Sequence, residues 1–201
     1  VINNFLVAIN INDADGQTKN RVRWSPINDP AGNWTSSQST QADYQNVEDG
    51  NPGEGLAVIG GQNYGILVFR NAIHRMEYVG PPVVFRINLV EENRGAYNEH
   101  CVASDGRYIF TLNDNGFWLF DTVESRPIGN GKVDTTFAKQ LDAARKHQIR
   151  VTPSPSQKAF IVSYPSVDSP DGVNDKSIIY SYAYDRWTEL DEGPQVIFRA
   201  F

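Results

Sequence analysis

The chain has 201 residues, 40% hydrophobic and 21% charged, which is enough apolar material for a sizeable core and lies outside the disordered range. A formal net charge of -6 sets the averaged surface against phosphate and disfavours sequence-independent nucleic-acid binding. No apolar run approaches the ~20 residues that cross a bilayer, and no basic, apolar leader opens the chain, so a soluble protein is expected.

Val1 leads into an apolar run without an initiator Met, which predicts a fragment or a processed product. Alternation of period two then marks strands at Phe5 to Ile11, Arg21 to Ser25, Leu56 to Ile59, Gly65 to Phe69, Ile73 to Tyr78 and Val83 to Leu89. Further strands are predicted at Tyr108 to Leu112, Phe117 to Phe120, Gln148 to Val151, Ala159 to Tyr164, Ser177 to Tyr184 and Val196 to Phe201. Between them stand Asn12-Asp13-Ala14-Asp15-Gly16, Asp105-Gly106, Asn113-Asp114-Asn115-Gly116 and Asp171-Gly172, residues that tolerate positive φ and so read as hairpin turns. One stretch, 135–146, has helical spacing of Phe137, Leu141 and Ala144, with Arg145, Lys146 and His147 at its C-terminal end, where the macrodipole favours cations.

The strands group into a recurring unit: a short first strand, a strongly apolar second, a third carrying an aromatic residue and a polar outer strand. Tyr64 to Tyr108 spans 44 residues, and Tyr108 to Phe160 spans 52 with the helix intervening. Both fit the roughly 40 to 50 residues of a four-stranded propeller blade. The fold class expected is all-β: about four blades of a β-propeller, with one inserted helix. The blades fall near 1–50, 55–90, 100–130 and 147–192 of a single domain, the first lacks its first strand, and 195–201 closes the ring or starts another blade. A β-sandwich also has short strands at regular spacing but does not require the same four-strand unit to recur.

Few motifs point to chemistry. Gly129-Asn130-Gly131-Lys132 resembles part of a phosphate loop, but Arg126 and Val133 stand where that motif needs Gly and Ser or Thr; a turn into the helix is expected, with Asp134 or Thr135 as N-cap. Asp13-Ala14-Asp15-Gly16 is expected to be a hairpin turn rather than a calcium loop, because Ile11 and Val22 occupy essential ligand positions. Asn28 to Thr35, which includes Trp34, resembles the Asp-box turn of sialidase-type propellers. Cys101 is expected to be buried and inert, and His74, His100 and His147 lie too far apart for a recognised metal spacing. No catalytic residue, cofactor or metal is expected. Trp24, Tyr78, Trp118, and Tyr184 with Trp187 read as third-strand aromatics that either stack on sugars or bases or, more simply, fill the wedge between blades.

Several segments, taken in order, resemble a family of tailed-phage and prophage virion proteins. They are Arg21-Val22-Arg23-Trp24-Ser25, Asp29-Pro30 with Asn33-Trp34-Thr35, Arg75 to Pro82, Glu92-Asn93-Arg94-Gly95, Asp114 to Phe117, Ser125 to Asp134, and Tyr184-Asp185-Arg186-Trp187. The chain is similar along 1–190 to the packaged-DNA stabilisation proteins and tail nozzles of short-tailed phages. That resemblance implies a non-enzymatic virion subunit in a homo-oligomeric ring at the head-tail connector. It would bind portal, adaptor and other tail proteins, touch packaged DNA only in passing and have no membrane partner. A carbohydrate-binding or glycosidase-type propeller is the alternative. The residues expected to matter structurally are Trp24, Trp34, Tyr78, Trp118 and Trp187, together with Arg126 and Lys132 as partners for acidic groups of a neighbouring blade or subunit.

Overall fold

A computed structural model describes residues 1–13 and 16–195. The chain is mostly β, with 47% strand and 8% helix, in four antiparallel sheets whose strands follow one another in chain order. It groups into two compact units, Val1–Ala96 and Tyr97–Phe201.

The first unit holds two sheets. One has three strands, β1 (Val7–Asp13), β2 (Gly16–Trp24) and β3 (Asp43–Asn46); the other has four, β4 (Gly55–Ile59), β5 (Tyr64–Phe69), β6 (Ala72–Gly80) and β7 (Val84–Glu92). The second unit holds two four-stranded sheets. These are β8 (Val102–Ser104), β9 (Ile109–Asn113), β10 (Gly116–Phe120) and β11 (Ser125–Pro127), then β12 (Arg150–Ser154), β13 (Ala159–Tyr164), β14 (Lys176–Ser181) and β15 (Arg186–Leu190). The predicted strand at Val196 to Phe201 and part of the Asn12 to Gly16 turn lie outside the described residues.

Burial explains the division of labour along each sheet. Ile66 to Phe69 on β5 and Ile109 to Leu112 on β9 are buried on successive residues, so both faces of these strands are covered, as an uninterrupted apolar run requires. The outer strands β3 and β15 are largely exposed and rich in polar side chains, which protects open edges from pairing with another chain. In the first unit the core comprises Ile2, Phe5, Val22, Trp24, Leu67, Phe69, Met76 and Phe85 among others. Burying each large apolar side chain contributes about 1.5–3 kcal/mol.

Two local predictions differ from what forms. The helix expected over 135–146 is α1 (Asp134–Gln140), followed by a separate 3-10 turn at Ala143–Gln148. Leu141, at φ -65 and ψ 128, leaves the helix to form an isolated bridge with Ser166, and Asp142 caps the next turn by accepting from Ala144 N at 3.0 Å. The helical spacing therefore continues while the backbone breaks, because Leu141 is recruited to an extended contact. The N-cap is Val133, without a side-chain cap bond, since the Asp134 carboxylate is turned towards Phe117 instead.

Candidate functional site

Of the side chains singled out in the second unit, Arg126, Lys132 and Trp187 converge where two successive sheets meet. After β11 the chain makes a turn in which the amides of Lys132, Val133 and Asp134 all donate to the Gly129 carbonyl, at 3.0, 2.9 and 3.1 Å. That turn projects the Lys132 ammonium onto Asp185, in the hairpin between β14 and β15, with Nζ donating to Oδ2 at 2.6 Å. Tyr180 OH donates to Asp185 Oδ1 at 2.9 Å, and Arg126 Nη2 donates to the same phenol at 3.1 Å. The Arg126 guanidinium stands 4.0 Å from Asp185. Trp187 completes the joint: its indole N–H donates to the Ile128 carbonyl at 2.9 Å, and its ring lies 4.8 Å from Phe117 and 4.9 Å from Tyr180.

The electrostatics follow from this geometry. The hydrogen bond from Lys132, and then that from Tyr180, hold the Asp185 carboxyl below the ordinary carboxylate range. Burial first, and then the bond to Asp185, push the Tyr180 phenol up to about 12, so it stays protonated and available as a donor. Arg126, Lys132 and Asp185 form a charged rim over an aromatic joint of Phe117, Tyr180 and Trp187.

Asp134 occupies a second built position beneath that turn. Its carboxylate accepts from Phe117 N at 3.3 Å and fits between Gly116 and Gly129, where a side chain on either glycine would overlap it. Gly116 is needed twice over, for this approach and for a φ of 99 after the Asp114-Asn115 turn. Desolvation raises the Asp134 pKa, with the Phe117 bond opposing it.

In the first unit Gln41 brings Trp24 and Tyr78 together. Its backbone carbonyl accepts from Trp24 Nε1 at 2.8 Å, and its side-chain oxygen accepts from Tyr78 OH at 2.9 Å. Phe85 lies edge-on to both rings, with centroids at 5.2 and 5.7 Å. Trp24 and Phe85 are buried in the core, and the half-buried Tyr78 packs against it, so all three rings are engaged in packing. Trp34 stands apart in the long β2–β3 loop, where Nε1 donates to the Pro30 carbonyl at 3.0 Å and closes a local turn. Trp118 lies on β10, paired across the ladders with Thr111 and Pro127.

One placement differs from the expectation. Trp187 belongs to the outer strand β15, and Tyr184 is an exposed turn residue, so the aromatic of the third strand β14 is Tyr180. The alternation around Trp187 is equally compatible with either strand, and only the ladder to β14 decides it. The roles of Asp134, Gln41 and Asp185 have little signature in the sequence, because each reaches a partner 17, 37 or 53 residues away: Phe117, Tyr78 and Lys132. The clue for Asp185 was a turn Asp in the Tyr184 to Trp187 segment.

Other candidates resolve into structure. Cys101 is buried, and desolvation above all pushes its thiol up to about 12. The Asp13 carboxylate is engaged by Arg21 at 2.8 Å and Arg23 at 3.2 Å. Among the described residues no group of three or more His, Cys, Asp or Glu could hold a metal ion, and no helix is long and apolar enough to cross a membrane. No protein-family model matches this sequence, and no curated protein is similar to it.

Proposed function

We propose that the chain is a run of β-propeller blades and serves as a structural subunit of a tailed-phage virion, at the head-tail connector or tail nozzle. The observation that carries this reading is the joint between the two sheets of the second unit, where Lys132 and Arg126 meet Asp185 and Trp187 meets Ile128. Charged and aromatic groups placed at the same seam hold neighbouring sheets edge-protected and in fixed register, which is what a stiff ring component requires. The residues of the Ser125 to Asp134 and Tyr184 to Trp187 segments, part of the resemblance to virion proteins, are the ones that build this seam.

In this reading the subunit forms a homo-oligomeric ring that binds portal and adaptor proteins and lets packaged DNA pass. The net charge of -6 supports passage without adhesion, because phosphate is repelled rather than neutralised. The test is to mix the protein, with any flanking sequence its gene encodes, with purified portal-adaptor rings and follow it by sedimentation and electron microscopy. Ring-shaped oligomers that co-sediment with the adaptor support the reading; a monomer that stays in the supernatant overturns it.

A further inference from the structure

A cleft of about 560 Å³ opens in the second unit between α1 and the β9–β10 hairpin. Its floor is apolar: the exposed Ala138 and Ala143 line it together with the small accessible parts of Phe137 and Leu141, and Leu112 is fully buried behind them. Four charged side chains surround that floor, Asp114 and Asp134 against Lys139 and Lys146. The two signs balance, so the cleft selects neither a cation nor an anion.

The charged groups are held in place. Lys146 Nζ donates to Asp114 Oδ1 at 2.8 Å and sits over the face of the Tyr97 ring, 4.2 Å from its centre, so ammonium, carboxylate and aromatic face form one fixed triplet. The Asp114 bond, first among its causes, raises the Lys146 pKa and keeps it charged. On the opposite side Asp134 is fixed between Gly116 and Gly129, with its carboxylate directed by the Phe117 amide. Preorganised donors and acceptors facing an apolar floor characterise pockets for small molecules that are polar at the rim and apolar on one face.

We infer that this cleft is a binding site for a neutral saccharide, with the apolar floor against the C–H face of a sugar ring and Asp114, Lys146 and Asp134 hydrogen-bonding its hydroxyls. Adjacent hydroxyls each donate and accept, which a side-by-side carboxylate and ammonium match and a single-signed pocket does not. The volume accommodates one or two sugar rings, within the usual range of small-ligand pockets. No bond is made or broken. The inference stands independently of the virion reading.

The experiment is saturation-transfer NMR on the full chain with glucose, galactose, mannose, N-acetylglucosamine and their disaccharides. Inorganic phosphate and spermidine serve as anionic and cationic probes. At least one saccharide is expected to bind with a dissociation constant on the order of 1 mM. Asp114→Ala, which removes the acceptor, and Ala138→Trp, which fills the cleft from an exposed helix position, are each expected to weaken it about tenfold or more. Both positions are exposed, so circular dichroism should report an unchanged fold; Lys139→Ser is the further variant should either fail to fold. The inference is overturned by silence across the saccharide panel, by saccharide binding that survives the cleft variants, or by tighter binding of phosphate or spermidine.

Discussion

Lys132 and Asp185, 53 residues apart in sequence, meet at 2.6 Å and tie the turn after β11 to the β14–β15 hairpin of the next sheet. The same carboxylate accepts from Tyr180, a fully buried side chain, so its loss would leave a phenol without its acceptor as well as breaking an ion pair. Asp185 also adopts φ 52, a conformation that Asn tolerates and Ala resists. Asp185→Ala is therefore expected to cost about 1–2 kcal/mol, and Asp185→Asn less than half of that. Urea unfolding of the two variants measures the difference; equal losses would mean that the whole cost lies in removing the charged carboxylate, with no contribution from backbone conformation.

Trp187 offers a separable test of the same seam. Trp187→Phe keeps a ring against Phe117 and Tyr180 but removes the N–H donor to Ile128, and a loss of about 1 kcal/mol is expected. Trp187→Ala also removes the ring and is expected to cost roughly 3 kcal/mol. Thermal melts of both variants give the order; a Phe variant as damaging as Ala would deny the ring its packing role.

Glycine at 129 is predicted to be a matter of space. A side chain there would overlap the Asp134 carboxylate, so Gly129→Ala should destabilise by about 1–3 kcal/mol. In an Asp134→Ala background the same substitution should cost at least about 1 kcal/mol less. A double-mutant cycle reads the coupling directly, and additivity would rule out the steric account.

His74 sets a pH dependence in the first unit. It is fully buried, its Nε2 lies 3.1 Å from Asp49 Oδ1 and 3.2 Å from the Asp49 carbonyl, and Nδ1 has no hydrogen-bond partner among the described residues. Burial, outweighing the attraction of Asp49, lowers its pKa below the ordinary 6.5. The unfolded chain then takes up a proton that the folded one refuses, so this contribution to stability is fully present above pH 6.5 and is lost as pH falls through the lowered folded value. Urea midpoints at pH 7.5 and 5 should fall with acid in the parent, and less steeply in His74→Gln; identical slopes would remove His74 as the cause.

Cys101 should be silent towards thiol reagents. With its pKa pushed up to about 12 and its side chain buried, it carries almost no thiolate at pH 8. Ellman's reagent is expected to report no free thiol in the native protein and one per chain in denaturant.

The sheets were legible because each obeys local rules. Apolar runs set off by polar turn residues, Asp105-Gly106 and Asn113 to Gly116 among them, place β5, β6, β9, β10 and β13 within a residue or two, since strand pairing between neighbours in the chain leaves its pattern in the chain itself. Lys132 and Arg126 were legible as cations in need of an acid, but their partner Asp185 was not, because proximity across a seam leaves no periodicity. Leu141 was misplaced for a related reason: its helical spacing is intact, and the bridge to Ser166 that pulls it out of the helix is a contact at a distance of 25 residues. Gln41 carries no signal at all, being an uncharged loop residue whose value lies in reaching two rings at once.

The meander order of the sheets bears on how the protein is made. The strands β4 to β7 are complete by Glu92, β8 to β11 by Pro127 and β12 to β15 by Leu190, so among the described residues each four-stranded sheet is built from consecutive strands. A ribosome adds roughly 5–20 residues per second, whereas a hairpin closes in about 1–10 μs. Each sheet can thus be assembled on the nascent chain seconds before the next emerges, and its apolar central strand is covered early instead of lingering exposed to other unfinished chains.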